Sequence, residues 1–169
     1  MRRSLIAVLL LGAAGLAWWL GSPLFIRTYA DEALPVAAPA RPAAVSPGAP
    51  LPSGAAPAPA PRTLKSGALQ FVDSAHHGEG EVRIVETMDL RVVRFENVAI
   101  SNAPDVQIYL SSDTGGRYVP ANSVHLGALK ATDGSFNYEI LAGLDVSSYR
   151  SVIAWCRAFN VLVTWAPLA

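Results

Sequence analysis

Only one cysteine, Cys156, stands in the chain, so no disulfide can form within a molecule. The thiol is left as a buried small hydrophobe, a bridge to another molecule, or a reactive group. No C-x-x-C-H run is present, which excludes covalent c-type haem, and no C-x-x-C pair is present for thioredoxin-like exchange. Charged residues are sparse at 15%, with 13 Lys and Arg against 13 Asp and Glu. No basic patch interleaved with aromatics occurs, which argues against nucleic acid as a partner. Phosphate loops, dinucleotide fingerprints and paired-carboxylate motifs are also absent, and the chain reads as something other than a classical enzyme. Convincing helical patterning is missing beyond residue 64.

What is present divides into three materials. Residues 1–30 read as a membrane anchor: Arg2 and Arg3 precede an uncharged run from Ser4 to Ile26, closed by Arg27. As a helix that run would extend about 34 Å, enough for a hydrocarbon core of about 30 Å, with Trp18 and Trp19 toward the far interface. The excess of positive charge before it predicts a cytoplasmic N-terminus and a C-terminal domain outside, periplasmic or extracellular. A cleaved signal peptide is the competing reading, but Thr28-Tyr29-Ala30 is a poor small-x-small cleavage site. Residues 31–63 read as a linker. Nine of the 13 prolines fall between Pro35 and Arg62, a density that removes amide donors and predicts a disordered, extended stem.

Residues 64–169 carry the folded domain, with eight Lys or Arg against eleven Asp or Glu. Short runs of period-two or β-branched character, such as Gly67 to Val72, Glu81 to Glu86, Leu90 to Phe95, Val98 to Ile100, Val106 to Leu110 and Phe136 to Ile140, are separated by turn signals. They predict an all-β domain of about eight short strands, an antiparallel sandwich or barrel. Asp145 is placed to cap a single turn. The segment from Val152 to Cys156 is apolar on both faces, which predicts a central strand covered on both sides.

Four residues are candidates for chemistry. Cys156 could undergo one-electron or disulfide chemistry, and Trp155 beside it could assist electron movement or shield the sulfur. Its apolar flanks equally suit an inert, buried residue. His76 and His77 lie in a glycine-rich turn with Asp73 and Glu79, where they could supply metal or haem ligands, or serve as polar loop residues. His125 reads as structural, and Pro104-Asp105 as a turn that could lend a carboxylate.

The domain also resembles the electron-transfer DM13 family along its full length. The resemblance rests on Gly67-x-x-x-Phe71, His76-His77-Gly78-x-Gly80, Asn102-x-Pro104-Asp105 leading into Tyr109-Leu110-Ser111, and Leu126-Gly127-x-Leu129-Lys130. It continues through Gly134-x-x-Asn137-Tyr138, Asp145-x-x-x-Tyr149-x-x-Val152 and Trp155-Cys156-x-x-Phe159. It implies a compact β domain outside the cytoplasm with a redox role centred on Cys156, working with a separate redox protein as partner. The family usually has Gly where this chain has Ala103, which puts the geometry of that turn in question. The alternative is a non-catalytic binding module held at the cell envelope, with Cys156 structural. Cofactor identity and oligomeric state are not set by the sequence.

Overall fold

The computed structural model describes residues 2–35, 60–87 and 90–169, with side chains of the first helix described at 6–18 and 21–22. Among the described residues, helix α1 (Arg2–Phe25) is followed by nine strands: β1 (Tyr29–Asp31), β2 (Arg62–Ala68), β3 (Gly78–Glu86), β4 (Arg91–Ile100), β5 (Val106–Ser111), β6 (Ser123–Ala128), β7 (Asp133–Ile140), β8 (Ser151–Cys156) and β9 (Val161–Pro167). They form a five-stranded sheet of order β1-β7-β4-β3-β2, here sheet A, and a four-stranded sheet of order β6-β5-β8-β9, here sheet B.

The two sheets pack face to face because the core strands turn apolar side chains to one face at alternate positions. Val82, Ile84, Val93, Phe95, Phe136 and Tyr138 from sheet A meet Ile108, Leu110, Val152, Ala154 and Val163 from sheet B in one buried core. Phe95 stacks on Phe136 at 5.0 Å between centroids, and Tyr138 meets both rings edge-on. The expected separate runs from Leu90 and from Val98 are one strand, β4, interrupted by a bulge between Phe95 and Val98. Asn97 takes φ 48° there, a left-handed conformation that Asn tolerates better than most residues.

Several expectations are corrected. The sheets are not purely antiparallel, since β1 pairs with β7 in parallel register, Tyr29 opposite Asp133 and Asp31 opposite Ser135. Those residues read in sequence as the junction of anchor and linker, yet they are a strand of sheet A. Strand β2 begins at Arg62 rather than near Gly67, and its backbone crosses the C-terminus so closely that a Cβ on Gly67 would lie 1.6 Å from the Pro167 carbonyl oxygen. The transmembrane helix is not found, because among the described residues no helix is long and apolar enough to cross a membrane. The stretch 6–18 spans only about 20 Å of helix; the rest of the expected span falls partly outside the described side chains. The Pro- and Ala-rich stretch, over 36–59, lies outside the described residues, as do Met88 and Asp89.

Residues 26–33 are fastened to the domain by polar contacts. Arg27 donates two hydrogen bonds to Asp133, at 2.7 and 2.6 Å, and the Thr28 and Thr132 backbones and hydroxyls bond reciprocally. Glu32 accepts from Lys130 and from the backbone N–H of Asn137, and buried Arg94 donates to the Glu32 carbonyl. The Arg27 guanidinium, with help from Thr132, holds the Asp133 carboxyl below its ordinary pKa. For Glu32, burial opposes ionisation, but the bonds from Lys130 and Asn137 outweigh it and the pKa is lowered.

Carboxylates with depressed folded-state pKa values stabilise above their unfolded values, about 3.9 for Asp and 4.3 for Glu, and lose that contribution as pH falls through the folded values. Acidification from neutral toward about pH 3 is therefore expected to loosen residues 27–33 first. Amide hydrogen exchange across this pH range checks it: amides of 29–32 lose protection before those of β8.

Candidate functional site

The sites grow from the two faces of β8. In a strand, successive side chains alternate, so Val152, Ala154 and Cys156 enter the core between the sheets while Ile153 and Trp155 face the other way. Strand β8 is central, flanked by β5 and β9, and all its residues except Trp155 are buried. The doubly covered strand expected from its apolar pattern is thus present, and its two covers are different. Cys156 and Trp155, adjacent in sequence, occupy opposite faces.

Cys156 is 0% exposed and unpaired. Its Sγ donates a hydrogen bond to the Pro104 carbonyl oxygen at 2.9 Å, a bond that exists only while the sulfur carries its proton. The loop 101–105 that supplies this carbonyl also holds His77: the Ser101 hydroxyl oxygen accepts from the His77 backbone N–H at 2.8 Å and lies 3.0 Å from the imidazole Nδ1. The same loop meets the end of α1, where Asn102 donates to the Ile26 carbonyl. Cys156, His77 and the point where the N-terminal chain joins the domain therefore share one end of the sandwich.

His76 and His77 have separate partners. The His76 Nδ1 sits 3.0 Å from both oxygens of Asp73, whose Oδ1 also accepts from the N–H groups of Ala75 and His76. That bond to His76 and the two amides hold the Asp73 carboxyl below its ordinary range. The His77 ring stacks on Phe71, which is 70% exposed in the loop after β2 rather than in a strand. Among the described residues no group of three or more His, Cys, Asp or Glu is placed to hold a metal ion. At this end stand one buried thiol engaged by a carbonyl and two imidazoles with separate partners.

The outer face of sheet B was not legible as a site. The loop 112–119 folds over it so tightly that a Cβ on Gly116, at φ +70°, would lie 2.7 Å from Leu162 and Trp165. Beneath the loop run four rings in series: His125 to Tyr109 at 5.0 Å, Tyr109 to Tyr118 at 4.6 Å, and Tyr118 to Trp155 at 4.9 Å between centroids. Beside them Arg157 holds Asp105 in a bidentate pair at 3.0 Å, Gln107 donates to Asp105 at 2.7 Å, and the Gln107 Oε1 lies 2.8 Å from His125 Nε2. Because the Gln107 amide nitrogen is committed to a carboxylate, its oxygen must accept, so His125 carries its proton on Nε2. The period-two pattern placed Tyr109 in a strand, but nothing local showed that Tyr118 would fold back onto it.

Ala103 does not strain the turn. Among the described non-glycine residues, positive φ occurs at Asn97, Asp105 and Asn160, so the left-handed position belongs to Asp105. Its carboxylate is held below the ordinary range by the Arg157 hydrogen bonds and by Gln107. Ala103→Gly is therefore expected to destabilise the protein by about 0.4–1 kcal/mol through a more flexible unfolded chain, not to relieve strain. Denaturant unfolding of the variant measures this directly.

A family model described as electron transfer DM13 matches residues 70–168. No curated protein matches the chain, and no solved structure does. The matched region is more than half of the chain and takes in the His76-His77 turn, the loop 101–105 and both faces of β8; the chain belongs to the electron-transfer DM13 family.

Proposed function

We propose that this chain is an electron-transfer protein whose redox centre is Cys156, exported from the cytoplasm and held at a membrane by the residues that precede β1. The observation that carries the redox reading is the sulfur's position: fully buried, hydrogen-bonded to the Pro104 carbonyl, and packed within the family's matched region. Burial keeps a bulky disulfide partner from reaching the sulfur, so the chemistry it suits is loss of one electron with the thiol proton. Support for export and attachment comes from the sequence, with Arg2 and Arg3 ahead of the uncharged run to Ile26. The fold adds that this chain reaches the domain at the Cys156 end, where Phe71 and Phe159 are also 70% and 62% exposed. An electron partner at the membrane surface would meet that end.

Two measurements test the proposal. In stopped-flow reaction with a one-electron metal-complex oxidant, the full chain is expected to transfer an electron, and Cys156→Ser, with an unchanged unfolding midpoint, to lose more than about tenfold in rate. A variant that transfers at the native rate would remove the thiol from the mechanism. For attachment, fractionation of cells at low ionic strength should recover the full chain with the membrane fraction, and its recovery in the soluble fraction would overturn that part.

A further inference from the structure

The ring series on the outer face of sheet B has properties that ordinary surface packing does not require. Tyr109 is only 7% exposed although it lies on the face away from the core, because loop 112–119 and Tyr118 cover it. Burial, then the neighbouring Tyr118, raise its pKa to about 12, so it stays a phenol at any physiological pH. Tyr118 and Trp155 are half-buried and present edges to solvent. Phenols and indoles are the side chains most readily oxidised by one electron after thiols, and here they stand at about van der Waals contact in an unbroken row.

We propose that Tyr118 and Tyr109, flanked by Trp155 and His125, form a redox-active relay through which the domain gives an electron to a one-electron metal oxidant, such as a partner's ferric haem. This rests on the electron-transfer reading above and adds to the thiol in the core a second oxidisable group on the outer face of sheet B. Tyr118 loses an electron to the oxidant, which is reduced by one unit, and its phenolic proton goes to water. A hydrogen atom then passes between the two packed phenols: the O–H bond of Tyr109 breaks, that of Tyr118 re-forms, and the radical comes to rest on Tyr109. Covered by the loop, that radical is shielded from solvent. One electron from a ferrous or comparable one-electron reductant, with a proton from water, restores the phenol. Trp155 packs against Tyr118 and extends the row toward the surface, and His125, its proton fixed on Nε2 by Gln107, closes the other end.

Flash photolysis of the full chain with photo-oxidised ruthenium tris-bipyridine tests the relay, read by transient absorption and electron paramagnetic resonance. Wild type is expected to give a long-lived tyrosyl radical. Tyr118→Phe should slow its formation by on the order of tenfold or more. Tyr109→Phe should leave only a short-lived radical on Tyr118. Both Phe variants keep the ring and remove only the hydroxyl, and unfolding midpoints confirm that they fold. A radical unaffected by either Phe variant, or located on Tyr29, Tyr138 or Tyr149, overturns the relay. Loss of electron transfer in Cys156→Ser with native behaviour in the Phe variants overturns it too, while leaving the thiol mechanism standing. The converse result, transfer lost in the Phe variants and kept in Cys156→Ser, supports the relay and removes the thiol.

Discussion

The two-residue period of β8 governs everything that can be said about chemistry in this domain. Because consecutive side chains must leave a strand on opposite sides, Cys156 and Trp155 cannot share an environment however close they are in sequence. The sulfur is delivered to the core between the sheets, and the indole to an outer face roofed by loop 112–119. A shift of register by one residue would exchange them, placing Trp155 where the core has room for a thiol. Pairing with β5 on one side and β9 on the other fixes that register, Val106 opposite Cys156 and Gln107 opposite Trp155.

That division yields two oxidisable groups with different physical access. The thiol is enclosed, engaged by a carbonyl, and reachable only by electrons moving through protein. The aromatic row is thinly covered and reaches the surface through two half-buried rings. Asp105 stands between the two sites. Its left-handed turn sets the Pro104 carbonyl on the sulfur, and its carboxylate, held by Arg157, orients Gln107 and through it His125. One turn residue thus positions a partner for each face, a stronger role than the connecting one that its dipeptide with Pro104 suggests.

Most of the fold could be read from patterns of two: the strands of both sheets, the doubly covered β8 and the Asp145 cap, which accepts from the Ser147 N–H at 2.9 Å. What escaped were features whose determinants lie far apart in sequence. Strand β1 has three residues and no alternation to reveal it; it exists because Arg27, Thr28 and Glu32 find Asp133, Thr132 and Lys130 about a hundred positions away. The bulge at Asn97 looked like a break between two strands, because a bulge interrupts the period without ending the ladder. Cys156 was visible as a candidate by its rarity. The Tyr109–Tyr118 pair was not, because Tyr118 sits in a loop of turn residues with no periodicity to aim it.

The parallel pairing of β1 also changes the meaning of the Pro- and Ala-rich stretch. A stem between an anchor and a domain would let the domain roam, and its length would set the reach. Here Phe25 ends α1 and Tyr29 begins a strand of sheet A, so only three residues separate the helix from the fold. The Pro-rich residues connect β1 to β2, two strands of the same sheet, and cannot extend the distance from α1 to the domain whatever their own conformation. Ion pairs of Arg27 with Asp133 and of Lys130 with Glu32 fasten the segment that follows α1 to the domain. Loop 101–105 touches Ile26 as well as Cys156 and His77, so the chain leaving α1 meets the domain at the thiol end.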